Sequence, residues 1–300
     1  MDKRNNKQRD GHLVIIGGGE DRTYGKEILR RFIELSGGPD ADIVVITAAS
    51  GVSDHMWEIY QQAFGELGVI GVRHLPINSR LDANSDLAAT MLAAADGIFM
   101  TGGDQKRLLA LVGATAVDRA LHVALKERGA CIGGTSAGAS AMSGHMLARG
   151  EAVLQPEKGA VSMAAGLGLV QHVLIDQHFS ERQRLGRLLT AVAQNPYLQG
   201  VGIDEDTALV IERGVGIEIL GEGAVTVVDG RYMRSNLAQI ANRESPEMID
   251  VRLHLLPAGS RYTLPAEGAA GDASAGDGAE ALSPSMLDFL RNVSKRNPLS

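Results

Sequence analysis

With a single cysteine, Cys131, among 300 residues, the chain can form no internal disulfide and no cysteine-based zinc site, as expected of a reducing compartment. It has no run approaching ~18 consecutive apolar residues, which excludes a membrane-spanning helix. The charged start MDKRNNKQRDGH is followed by no apolar stretch of signal-peptide type, so the expected location is the cytoplasm. An excess of positive charge is missing as well. The formal net charge of −7 argues against nucleic acid, whose phosphates reward basic surfaces, and is compatible with a cationic partner. What is present, 44% hydrophobic and 22% charged residues, is the composition of a folded protein with length for one large domain or two small ones.

Residues 13–16, 43–46, 69–75, 97–100 and 130–132 are brief apolar runs, rich in β-branched side chains and bounded by Gly or polar residues. Such runs read as strands buried on both faces of a parallel sheet. Between them Ile28, Leu29, Phe32 and Ile33 share one helical face, as do Met56, Tyr60, Ala63, Phe64 and Leu67. The sets Leu87, Met91, Leu92 and Val117, Leu121, Leu125 do the same. The alternation predicts an α/β fold, a doubly wound, mostly parallel sheet with helices on both faces. After Gly144 the spacing predicts a strand at 172–176, a helix at 181–194 with Ser180 and Glu181 as its cap, and four short strands between 201 and 228. These read as a β-rich extension of the same sheet, so 1–264 is expected to form a single α/β domain. Residues 265–281 hold no large apolar side chain and are expected to be disordered, with a short helix near 284–292.

In open α/β sheets, ligands bind beyond the carboxyl ends of the strands. Gly17-Gly18-Gly19-Glu20-Asp21 occupies such a loop, but a dinucleotide fingerprint would need glycine where Arg22 stands, and no P-loop is present. The main reading is a tight turn that lets backbones approach closely, with a nucleotide-binding loop as the alternative. Gly134-x-Ser136-x-Gly138 lies between a predicted strand and a predicted helix, the context of a nucleophile elbow, where backbone N–H groups can supply an oxyanion hole. A serine nucleophile needs a base. Of eight histidines, His178 alone closes a predicted strand at that edge, behind Asp176 and Gln177. The acid that orients it is chosen as Glu205, in Gly202-Ile203-Asp204-Glu205-Asp206-Thr207, with Glu151 and Glu157 as alternatives. Arg182, Arg184 and Arg187 flank the predicted buried stripe Leu185, Leu188, Leu189 and Val192, and are candidates to clamp carboxylates. Thr101-Gly102-Gly103-Asp104-Gln105 offers Gln105 and further backbone N–H groups.

The stretches IIGGGED, FMTGGDQKRL, GGTSAGAS, IDQHFSERQRLGRLL and GIDEDTALVIE, in that order between residues 13 and 256, resemble the cyanophycinases. These belong to the serine peptidase family that also contains the α-aspartyl dipeptidases. The resemblance implies a flavodoxin-like or glutamine-amidotransferase-like fold and a Ser-His-Glu triad of Ser136, His178 and Glu205. It also implies a substrate pocket of Gln105, Asp176, Gln177, Arg182, Arg184 and Arg187, no metal or other cofactor, and a homodimer. The implied substrate is cyanophycin, a polyaspartate backbone with arginine on each side-chain carboxyl, cut to β-aspartyl-arginine dipeptides. The long Ala/Gly/Asp stretch after Pro265 departs from the pattern. A dipeptidase for short aspartyl peptides and a non-catalytic binding module stand as alternatives.

Overall fold

The computed structural model describes residues 11–150, 154–264 and 282–294. Its main sheet has eight strands in the order Arg261–Thr263, Gly216–Gly221, Thr207–Glu212, His12–Ile16, Cys131–Thr135, Gly97–Met100, Ile43–Ile46 and Val72–Leu75. The last five are mutually parallel, and each of the first three is antiparallel to the strands beside it. The apolar runs are continuous because each face meets a core of its own. Leu13, Ile15, Val44, Ile46, Ile98 and Met100 point into one. Val14, Ile16, Ile43, Val45, Phe99 and Cys131 point into the other.

Helices Glu27–Ser36 and Ser53–Glu66 close the second face with Ile28, Leu29, Phe32, Tyr60 and Phe64. Helices Asp86–Ala94, Gln105–Val112 and Ala116–Val123 close the first. Leu92 and the partly buried Met91 supply the contact of Asp86–Ala94 as expected, joined by Ala88, whereas Leu87 is exposed. Burial pushes the Cys131 thiol well above its usual range, so this cysteine is inert. Among the described residues no single helix is long and apolar enough to cross a membrane.

The β-rich region after Gly144 divides. Thr207–Glu212 and Gly216–Gly221 extend the main sheet, while Arg252–Pro257, Ala224–Asp229, Gln199–Ile203 and Val173–Gln177 form a second, four-stranded sheet. The chain passes from one sheet to the other through Asp204, Glu205 and Asp206. Helix Leu185–Gln194 packs on the second sheet through Leu188 and Val192, beside Leu174, Phe179 and Val228. Helix Pro284–Ser294 buries Met286, Phe289, Leu290 and Val293 in the main core. The stretch 265–281 lies outside the described residues.

Candidate active site

Ser136 sits between strand Cys131–Thr135 and helix Ala137–Ala141 with φ 51° and ψ −108°. Holding a non-glycine residue in such a conformation costs about 1–3 kcal/mol, so its surroundings must over-determine it. They do. The Ser136 N–H donates to the Ile16 carbonyl at 3.0 Å, and the Ser136 carbonyl accepts from Ser140 N–H at 3.0 Å. A Cβ at position 134 would lie 2.8 Å from the Gly138 carbonyl, and one at 138 would lie 2.4 Å from the Met100 carbonyl oxygen. Strand, turn and following helix therefore approach more closely than any side chain at 134 or 138 allows, which is why the motif carries glycine there.

His178 follows strand Val173–Gln177 and is also held at positive φ, its N–H donating to the Gly17 carbonyl at 2.8 Å. Its Nε2 lies 3.0 Å from Ser136 Oγ and its Nδ1 lies 2.5 Å from Glu205 Oε1. The three side chains come from three places: the end of a main-sheet strand, the end of a second-sheet strand, and the crossover between the sheets. The triple-glycine turn is the floor beneath them. A Cβ on Gly18 would stand 2.3 Å from the imidazole Cε1, and one on Gly19 would stand 3.0 Å from Glu205 Oε2. This is the close backbone approach expected of that loop. Asp206 ties the floor in place, its N–H donating to Gly18 O at 2.8 Å and its Oδ1 accepting from Asp21 N–H at 2.8 Å. The acids flanking Glu205 thus hold the crossover, a role that sequence reasoning did not give them.

Of the alternative acids, Glu157 lines a separate cavity of about 410 Å³ with Arg149, Lys158 and Arg243. Among the described residues it makes no hydrogen bond to His178. Glu151 lies outside the described residues.

Burial lowers the His178 imidazole below its ordinary value of 6.5, the Glu205 hydrogen bond opposes this, and the charges of Arg182 and Arg184 add to the lowering. The ring is therefore neutral at pH 7, with Nε2 free to accept a proton from Ser136. A base of this kind works above its pKa and fails as pH falls through it. The acid limb of kcat/KM is accordingly expected to have its midpoint below pH 6.5. A pH–rate profile checks this, and a midpoint above 6.5 would mean that the carboxylate outweighs burial.

The profile of peptidase family S51 matches residues 13–219. The chain belongs to peptidase family S51. Members of this family are serine-type peptidases, hence hydrolases. This S51 peptidase is 39% identical over 251 residues to a cyanophycinase of Geminocystis herdmanii, an alignment spanning 83% of this chain and 92% of that one. It is 40% identical over 261 residues to a cyanophycinase of Synechococcus elongatus, spanning 86% and 81%. A solved peptidase from an acI-B1 Actinobacterium matches with TM-score 0.64 at 21% identity, over 85% of this chain and 98% of that one, a likeness in fold.

The S51 peptidase departs from sequence expectation after His178. The helix begins at Leu185 and not near residue 181, because Gln183 is held at φ 50°. Ser180 does not cap a helix; its hydroxyl donates to Asp204 Oδ1 at 2.5 Å. Leu185, expected in the buried stripe, is 41% exposed. Arg182 consequently lies in a turn, exposed and without an ion pair among the described residues, while Arg184 and Arg187 are buried. Arg187 is committed internally. It forks onto Asp176 through Nε, at 2.7 Å, and Nη2, and its Nη1 donates to Gly150 O at 2.8 Å. Arg184 Nη1 reaches Gln177 Oε1 at 3.0 Å and Asp176 Oδ1 at 3.4 Å, but its buried Nε has no hydrogen-bond partner among the described residues.

A single carboxylate, Asp176, thus faces two buried guanidinium groups. Burial pushes Arg184 down to about 10 against the pull of Asp176. The loop carrying Gln105 lies alongside: a Cβ on Gly102 would sit 3.4 Å from Ser136 Cβ, and Gln105 Nε2 donates to Leu147 O at 3.1 Å.

Proposed function

We propose that this S51 peptidase hydrolyses cyanophycin to β-aspartyl-arginine dipeptides through an acyl-enzyme on Ser136. The observation that carries the reading is the hydrogen-bonded line Ser136, His178, Glu205, with spacings of 3.0 and 2.5 Å. The names of its relatives supply the substrate. Ser136 Oγ attacks an aspartyl backbone carbonyl carbon as its proton passes to His178 Nε2, and Glu205 holds the ring and steadies the imidazolium. Backbone N–H groups of the elbow and of the 101–103 loop receive the oxyanion. Collapse expels the amine, which takes the proton from His178. Water then attacks the ester with His178 again as base, and Ser136 is regenerated.

Each arginyl unit of the polymer ends in an α-carboxylate, which a guanidinium binds through paired N–H donors. Arg182, without an ion pair among the described residues, and Arg184, whose Nε has no hydrogen-bond partner among them, are the groups left to do this. Arg187 holds Asp176, and Asp176, Gln177 and Gln105 shape the pocket wall. The decisive experiment incubates the protein with cyanophycin and identifies the soluble products by mass spectrometry. Release of β-aspartyl-arginine supports the reading; inertness towards the polymer, with cleavage of short α-aspartyl peptides, would make it a dipeptidase.

The arginines should separate by what they lose. Replacing Arg182 or Arg184 by alanine is expected to lower kcat/KM by about 2–5 kcal/mol of binding where the pair is buried, with lysine nearly as poor. Arg187→Ala instead takes from the buried Asp176 its forked partner and leaves it only the longer Arg184 contact at 3.4 Å, a loss of up to about 3 kcal/mol in stability read by thermal unfolding. If the alanine variants of Arg182 and Arg184 both kept wild-type kcat/KM, the clamp would be ruled out.

A further inference from the structure

We propose that Glu20 is a positioning residue for the nucleophile, acting through Thr135. The carboxylate of Glu20, at the end of the glycine turn, is 3% exposed, yet it faces no cation among its hydrogen-bond partners. Two hydroxyls reach it instead. Thr135 Oγ1 donates to Oε2 at 2.5 Å, and Tyr60 Oη donates to Oε1. Thr135, 3% exposed, is the last strand residue before Ser136, and Tyr60, 1% exposed, stands in helix Ser53–Glu66 against Phe64 and Phe99.

Glu20 therefore joins two pieces of the site that the triad itself joins only through one hydrogen bond. Along the chain it follows Gly18 and Gly19, whose backbones lie under His178 and Glu205. Through Thr135 it grips the residue next to Ser136. A tie between the floor and the elbow, independent of the Ser136–His178 contact, sets the distance between Oγ and Nε2 and resists relaxation of the positive φ at Ser136. Packing alone does not call for it, since a buried polar group and its partners can be replaced together by apolar groups of the same shape almost without loss. Thr135 offers a hydroxyl where valine would fill the same space, and Tyr60 where phenylalanine would.

The inference rests on Ser136 being the nucleophile, so the test reads that separately. In the full-length protein, the rate of Ser136 labelling by a serine-directed phosphonate is measured together with kcat and KM on cyanophycin. Thr135→Val is expected to slow labelling and kcat by about tenfold or more with KM within about threefold, the pattern of an interaction that acts on the chemical step. Thr135→Ser, which keeps the hydroxyl, restores both. Tyr60→Phe removes the other hydroxyl but not the tie to the elbow, and slows labelling less than about threefold. Glu20→Met, where it folds, removes the acceptor and behaves as Thr135→Val, and the double variant is no worse than the poorer single, as residues in contact within one network require. The proposal is overturned if Thr135→Val is labelled at the wild-type rate, or if Tyr60→Phe slows labelling as much as Thr135→Val does. Absence of label on Ser136 in the wild-type protein would instead remove the nucleophile assignment itself.

Discussion

Ser136→Ala is expected to abolish hydrolysis, a loss of about 10⁶-fold in kcat on the precedent of serine removal from a triad. It should leave the thermal unfolding temperature unchanged. Alanine retains the Cβ that the elbow already accommodates, and the hydrogen bonds that fix the turn are made by the Ser136 backbone N–H and carbonyl. The variant thus removes one oxygen, the one 3.0 Å from His178 Nε2. Turnover of the polymer at a comparable rate by variant and wild type, measured by release of soluble dipeptide, would end the serine-peptidase mechanism for this site.

Glu205→Gln should lower kcat by about 10⁴-fold, as an amide in place of the orienting carboxylate favours the wrong imidazole tautomer. The carboxylate accepts from His178 Nδ1–H, which leaves Nε2 bare toward Ser136; an amide NH2 turned to Nδ1 would reverse this. Because the Glu205 side chain is 40% exposed, its replacement should have little effect on folding, so a fall in kcat reads orientation and not collapse. The same substitution at Glu157, which lies in its own cavity, is expected to change kcat by less than about twofold. A large loss at Glu151 with a small one at Glu205 would transfer the orienting role to Glu151.

Much of this site is legible one segment at a time. Gly134-x-Ser136-x-Gly138 is legible as a tight strand-to-helix turn because the demand at Gly134 is local, from the Gly138 carbonyl, although that at Gly138 comes from Met100 on the neighbouring strand. His178 stands out because it closes a strand at the carboxyl edge, where ligands bind, directly behind Asp176 and Gln177. The arginines were less readable. Periodicity placed Arg182 within a helix, whereas the positive φ at Gln183 and the Ser180–Asp204 hydrogen bond, set by a strand more than twenty residues later, delay that helix to Leu185. Nor does a run of arginines say which of them is already paired: Asp176 claims Arg187 only because a strand and a helix on the same sheet bring them together.

The amino-acid order by itself determined the α/β class, the strands buried on both faces, the strained serine and the histidine, since each follows from side-chain volume and hydrophobic period over a dozen residues or fewer. Only the tertiary structure decided that the chain changes sheets at Asp204–Asp206 and so brings Glu205 to the imidazole, that Gly18 and Gly19 form the floor of the site, and that Glu20 meets Thr135. The reason is physical: periodicity records which face of an element is buried, but a hydrogen bond between residues far apart in the chain depends on which elements share that burial.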